Sequence, residues 1–432
     1  MRAHIRHSIC HNLKGMLLLY NLISLLALVL YLPILIMKGL NRGGIRFIKE
    51  RLGVGDYQKA DIWIHAVSVG ETMACIPLLK RLKREYPQKR IIISTITHTG
   101  QRLAMERFHE AEGVIYMPWD TSICVKRVIS SLMPELFITM ETEIWPILFH
   151  YLKGGQSRIV IVNGRLSSDS FRGYNRIKRF MKGVLSNVDH FCMQSEIDAE
   201  RIISLGADKG RVMVMGNIKF DIEMEAKEPP EWSKDLNDKI ILAGSTHKGE
   251  DEVILNAYKS IKGEFHDVSL ILAPRHPERF DEVEVMLRQM GFDYVRRTAM
   301  NSRDPSMGRR YDVILLDTIG ELSNAFSIAT MAFIGGSLLP YGGHNILEPA
   351  YWGKPIVFGP YMDNFPFAED FLNESAAIVV RTTEEMADSM RGILKDPERA
   401  REMGGRARAI IDRNKGATDN AMQLIREIID AS

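Results

Sequence analysis

Glu71 closes the stretch Val67-Ser68-Val69-Gly70-Glu71, just after an apolar run, and a carboxylate in such a strand-to-helix loop can take the proton of an attacking hydroxyl. The same position also suits a plain helix-start glutamate that complements the helix dipole. Glu141 and Glu143 end another apolar run, Leu136 to Met140, with Trp145-Pro146 fixing the exit. Carboxylates at that depth need a reason, because unpaired buried charge is costly. Arg275, in Pro274-Arg275-His276-Pro277, offers a fork of donors suited to a phosphate oxyanion. Phe333 to Ser337 reads as a buried strand breaking at paired glycines, and Gly342-Gly343 then opens an expected helix with Asn345 and Glu348 in its first turn. Such a unit is an anion cradle, with N–H groups for phosphate and a carboxylate for ribose hydroxyls. His276 and His344 have no metal-spaced companion and read as hydrogen-bonding or packing residues.

These residues must be held by elements that the apolar pattern outlines. Short apolar runs alternate with helix-like stretches in two successive sets, the pattern of parallel sheets covered by helices. The first set includes 62–67, 91–95, 114–117, 136–140, 159–162 and 212–215; the second includes 240–243, 268–273, 313–316, 331–334 and 355–358. Between them, 223–238 is charged, interrupted by Pro229-Pro230, and reads as a linker. The expected fold is α/β, with two doubly wound Rossmann-like domains facing a cleft: 51–222, then 239–432, whose last helix has the option of packing back on the N-terminal domain. The polar motifs all fall after strands, where such sheets bind ligands.

The 432 residues carry 56 Lys plus Arg against 54 Asp plus Glu, so charge makes no case for a nucleic-acid partner. The cysteines Cys10, Cys75, Cys124 and Cys192 are too scattered for a disulfide framework or a zinc site, and no Asp-x-Asp motif suggests a metal. Residues 1–50 stand apart. Met16 to Met37 is almost wholly apolar and just long enough to cross a hydrocarbon core as a helix. Arg2, Arg6 and Lys14 precede it, while Lys38, Arg42, Arg46, Lys49 and Arg51 follow, an imbalance that places the large C-terminal portion on the cytoplasmic side. A membrane segment is the favoured reading, though Pro33, the basic flanks on both sides and Gly39 to Gly44 also permit a helix lying partly in the interface.

Together these motifs resemble the bacterial 3-deoxy-D-manno-octulosonic acid (Kdo) transferases, membrane-associated enzymes of the two-domain glycosyltransferase-B architecture. The resemblance is carried, in order, by the N-terminal anchor, Val67 to Glu71, Met140 to Glu143, Asn163-Gly164-Arg165-Leu166-Ser167, Gly216 to Asp221, Ala273 to Phe280, and Gly335 through Ala350. Gly164 stands where the family more familiarly has alanine. The resemblance implies inverting transfer of Kdo from CMP-Kdo, without a cofactor or metal, to a lipid A precursor at the bacterial inner membrane. It makes Glu71 the general base, Glu141 a second essential acid and Lys219 a transition-state partner. It places Pro274, Arg275, Ile319, Gly320, Glu321, Asn345, Ile346, Leu347 and Glu348 along the CMP site. Ser68, Gly70, Arg165, Gly336, Ser337 and Gly343 would support them.

Three rivals remain at this level. A related enzyme with another nucleotide sugar, a transferase or an epimerase, shares the fold. A dinucleotide oxidoreductase would need three glycines where Ala66 to Thr72 has one. A non-catalytic membrane adaptor would use the same residues as caps and turns.

Overall fold

The computed structural model describes residues 2–38, 44–222, 228–233, 236–300 and 311–431. Two compact units emerge: Met1–Asp221 together with Lys415–Ser432, and Ile222–Asn414. Of the expected linker, 223–227 and 234–235 lie outside the described residues, as do 39–43 of the basic juxtamembrane segment.

The first unit is built on seven parallel strands: β1 (Ile62–His65), β2 (Ile91–Thr95), β3 (Gly113–Tyr116), β4 (Leu136–Met140), β5 (Arg158–Gly164), β6 (His190–Met193) and β7 (Val212–Val214). Their order is β3-β2-β1-β4-β5-β6-β7. β1 therefore lies between β2 and β4, pairing Ile62 with both Ile91 and Leu136. Alternate β1 residues feed two cores, Ile62 and Ile64 on one face and Trp63 with Phe137 and Phe149 on the other. The order reverses between β1 and β4, the switch point where open parallel sheets hold ligands.

The second unit repeats the plan with β8 (Lys239–Thr246), β9 (Val268–Pro274), β10 (Tyr294–Arg296), β11 (Val313–Leu315), β12 (Met331–Ile334), β13 (Ile356–Phe358) and β14 (Ala377–Val379), ordered β10-β11-β9-β8-β12-β13-β14. Its switch point lies between β8 and β12. There the chains pass so closely that a Cβ on Gly335 would sit 2.3 Å from the Ser245 carbonyl oxygen, which excludes any larger residue.

The range 239–432 expected for the second domain is shortened by the last helix, Ala417–Asp430. Its Ala421, Met422 and Ile425 are buried with Leu78 and Leu82 in the first unit's core. Asp221, where the chain leaves that unit, accepts N–H bonds from Gly416 at 2.7 Å and from Thr418, capping the returning helix.

Candidate active site

Helix Val69–Glu85 begins with Ser68 as its N-cap. Glu71 reaches back in a variant of the capping box: Val67 N–H donates to its Oε2 at 2.8 Å and the Ser68 hydroxyl to its Oε1 at 2.9 Å. The helix-start reading of Glu71 is thus seen directly, and the capping bonds still leave each carboxylate oxygen a second lone pair. Burial raises its pKa above the carboxylate norm; the Val67 N–H opposes this, and the Glu141 charge adds to it.

Glu141 leaves β4 with φ 54°, a backbone state uncommon outside glycine and Asn, and its N–H is bonded to Val162 O at 2.9 Å. Lys219, in the 3-10 turn Ile218–Phe220, places Nζ 3.2 Å from Glu141 Oε1. Glu143 has its pKa pushed up to about 7, first by burial and then by Glu71 and Glu141. Three carboxylates with one adjacent lysine therefore gather at the first sheet's switch point. Asn163 (φ 58°) steadies the lysine turn through its Oδ1, which accepts Ile218 N–H at 3.0 Å. Beside it a Cβ on Gly164 would lie 2.6 Å from Met193 Sδ, so the glycine is matched to that methionine. Arg165 donates its backbone N–H to Thr142 Oγ1 at 2.8 Å, and Gly70 is exposed in the first helical turn.

Glu143 yields a stability prediction. A carboxyl raised in the fold keeps its proton between about pH 4.5 and 7 while the unfolded chain loses it, so the native state loses stability as pH rises through that window. Glu143→Gln should therefore gain on wild type by on the order of 1–3 kcal/mol at pH 8 and match it near pH 4.5. Urea melts at the two pH values check this; an equal difference at both would mean that Glu143 does not titrate as described.

In the second unit the glycine loop differs from expectation. The N–H groups of Gly336, Ser337 and Leu338 donate to Glu250 at 2.7, 2.9 and 2.9 Å, and His247 N–H joins them at 2.8 Å. The cradle is filled by the protein's own carboxylate, because buried N–H groups need an acceptor at all times. Gly343 N–H is likewise spent on Gly336 O at 2.8 Å. The helix that follows is Leu347–Tyr351, so Asn345 precedes it rather than lying in its first turn. Asn345 accepts from Leu347 N–H at 3.1 Å and donates to Glu348 Oε1 at 3.1 Å. Glu348 is raised by burial, against the hydroxyl of Ser323, the Asn345 amide and the Arg275 charge.

Arg275 is exposed just past Pro274, the last residue of β9. His247, after β8, and His344, after β12, meet across the switch point with their Nε2 atoms 2.8 Å apart, so one must donate and the other accept. Tyr341 stacks on His247 at 4.2 Å, and His276 meets it edge-on at 5.3 Å. Burial foremost, then Arg275, lowers His344 to about 4, leaving it neutral near pH 7. Glu321 is held by Arg297 at 2.8 Å and by Thr318 Oγ1 at 2.9 Å, beside exposed Ile319 and Gly320. His247 was legible only as part of the polar loop Gly244-Ser245-Thr246-His247 after a strand, and Glu250 carried no signal of its own; the loop N–H groups it accepts from lie 86 to 88 residues downstream.

Two parallel α/β domains, each with polar side chains collected at its switch point, make up the architecture of the glycosyltransferase-B fold. The same fold is seen in a glycosyltransferase from Rickettsia africae, 16% identical with a TM-score of 0.55, covering 87% of this chain and 100% of that one. The family model of the 3-deoxy-D-manno-octulosonic-acid transferases (kdotransferase) matches residues 46–222. A 3-deoxy-D-manno-octulosonic acid transferase of Haemophilus influenzae is 33% identical over 378 residues, 85% of this chain and 87% of that one. A bifunctional glycosyltransferase/methyltransferase of Fusobacterium nucleatum is 36% identical over 387 residues, 87% of this chain, which spans only 59% of that protein's length. The chain belongs to the Kdo transferase family.

Proposed function

We propose that this enzyme moves Kdo from CMP-Kdo to a hydroxyl of a lipid A precursor, with inversion, as a step of lipopolysaccharide assembly on the cytoplasmic side of the inner membrane. The observation that carries the reading is the trio Glu71, Glu141 and Glu143 with Lys219 at the first switch point, on a chain of this family. Glu71 takes the acceptor's proton as its oxygen bonds to the anomeric carbon. The bond from that carbon to the CMP phosphate breaks, and the phosphate keeps the electron pair. Lys219, held in place by Glu141, stabilises negative charge on the donor without reorganisation. Arg275 receives the phosphate, and Ile319, Gly320, Glu321 and Asn345 to Glu348 line the nucleotide. The membrane is reached through helix Arg2–Lys38, whose stretch Leu13–Met37 is apolar enough to enter a bilayer.

Incubation of purified protein with CMP-Kdo and a tetraacylated lipid A precursor, followed by mass spectrometry, should show Kdo added to the lipid. CMP should inhibit and UDP should not; transfer from a UDP-sugar instead would sink the donor assignment. Arg275→Ala and Glu348→Ala should each weaken CMP binding about ten- to a hundredfold, the loss of one charge-assisted contact. Unchanged CMP affinity by calorimetry in both variants would move the nucleotide elsewhere.

A further inference from the structure

The N-terminal helix Arg2–Lys38 is not a bare apolar rod. Asn21 Oδ1 accepts the Ser122 N–H at 2.8 Å, Ser24 donates to Asp120 O at 3.0 Å, and Trp119 Nε1 donates to Ser24 O at 3.1 Å. Tyr20 stacks on Phe180 at 5.8 Å, and Tyr31 lies 5.5 Å from the Trp119 ring. Leu17, Leu28 and Leu35 are 5%, 8% and 1% exposed. At about 100° per residue, Leu17, Tyr20, Asn21, Ser24, Leu28 and Leu35 share one arc of about 100°. The opposite arc holds Leu18, Leu19, Leu22, Leu26, Val29 and Leu30, all between 56% and 71% exposed.

The docked stripe runs from Leu17 to Leu35, about 27 Å of helix at about 1.5 Å per residue. That is nearly the whole thickness of a hydrocarbon core, about 30 Å. A helix threaded through the bilayer would carry the loop Trp119–Ser122 in with it, together with the buried Asp120 carboxyl that accepts from Ile147 and Leu148 N–H. Irregular backbone facing lipid is not tolerated at that depth. The docking contacts and a spanning orientation exclude each other.

We propose that Arg2–Lys38 lies in the plane of one anionic leaflet, its outer arc sunk among the acyl chains and its inner arc bolted to the first unit. The inference rests on membrane attachment through this helix and specifies its geometry. Charge complementarity supports a lipid surface as the occupant: helices Ser168–Arg176 and Lys178–Leu185, the second packed beside the N-terminal helix, expose Arg172, Arg176, Lys178, Arg179 and Lys182 against one acid, Asp169. Tyr174 of this basic segment packs in the same core cluster as Tyr20 and lies within electrostatic reach of Glu143. The carboxylate site thus adjoins the leaflet surface, and an acceptor sugar can be presented to it with its acyl chains still in the membrane.

The test uses the full chain with Cys10→Ser and single nitroxide labels at the exposed positions Leu19, Leu26, Leu30 and Met37, bound to vesicles of phosphatidylethanolamine with phosphatidylglycerol. Accessibility to oxygen and to a water-soluble nickel complex should place all four labels at one shallow depth. A depth that peaks at Leu26 and falls toward both ends would overturn the proposal in favour of a spanning helix. Dipolar broadening between labels, with shielding from both lipid and water, would mean that a second copy covers the arc, and would equally overturn it. Removing phosphatidylglycerol, or the pair Arg176→Glu and Arg179→Glu, should lower vesicle binding at least tenfold; binding indifferent to both would remove the basic rim from the surface. Failure of the unlabelled full-length protein to pellet with any vesicle would instead end the attachment reading itself, whatever the helix geometry.

Discussion

Glu71→Gln is expected to lose about a hundred- to ten-thousandfold in turnover, the usual worth of general-base catalysis, while CMP affinity stays at the wild-type value. The side-chain amide keeps the size of the carboxylate, its carbonyl can still accept the Val67 N–H, and the Ser68 hydroxyl can turn to accept from the new NH₂ group. What disappears is the capacity to take a proton. Because Glu71 also caps its helix, melting temperatures must be compared alongside the kinetics; a large shared loss of fold and rate would speak only to the cap. If a well-folded variant kept more than about a tenth of wild-type turnover, outside the range for a base, Glu71 would not be the base. Glu143 would then be next in line rather than Glu141, because burial pushes the Glu143 carboxyl up to about 7, toward the range of a general base, whereas Glu141 is already engaged with Lys219 Nζ at 3.2 Å.

Lys219→Met should have the second largest effect, about a hundred- to a thousandfold in turnover, as for loss of one preorganised charge at a transition state. A second consequence follows from the neighbours. Without Lys219, the Glu141 carboxylate faces Glu71 and Glu143 uncompensated, and a like charge disfavours ionisation. The acidic limb of the pH–rate profile should therefore move to higher pH, since a base must be ionised to act. Lys219→Arg should restore the limb and part of the rate. If turnover of Lys219→Met recovered fully at high pH, Lys219 would serve only as the counter-ion of Glu141.

The parallel sheets were legible because each central strand is buried on both faces and so reads as a mainly apolar run; 91–95, 136–140 and 331–334 match β2, β4 and β12 to the residue. The strands not foreseen, β6, β10 and β14, are only three or four residues long, and β10 and β14 lie at or near the sheet's outer edges, where polar residues such as Arg296 interrupt the pattern. The candidate residues were legible as types after strands, because the switch-point rule ties chemistry to the carboxyl ends of strands.

What sequence alone determined about this protein is the alternation of strands and helices, the apolar N-terminal run, and the short-range contacts within one turn, such as Ser68 with Glu71 and Asn345 with Glu348. Periodicity and capping are local, so neighbours in the chain encode them. Only the tertiary structure decided that Glu250 fills the glycine cradle from 86 residues away, that Lys219 neutralises Glu141 across 78, that Asp221 caps a helix 195 residues later, and that Asn21 and Ser24 clamp the apolar helix to a loop about a hundred residues on. Each of these satisfies a polar group that burial would otherwise leave unpaired. Such partners are chosen by which loops the two sheets bring together, a choice that no local pattern records.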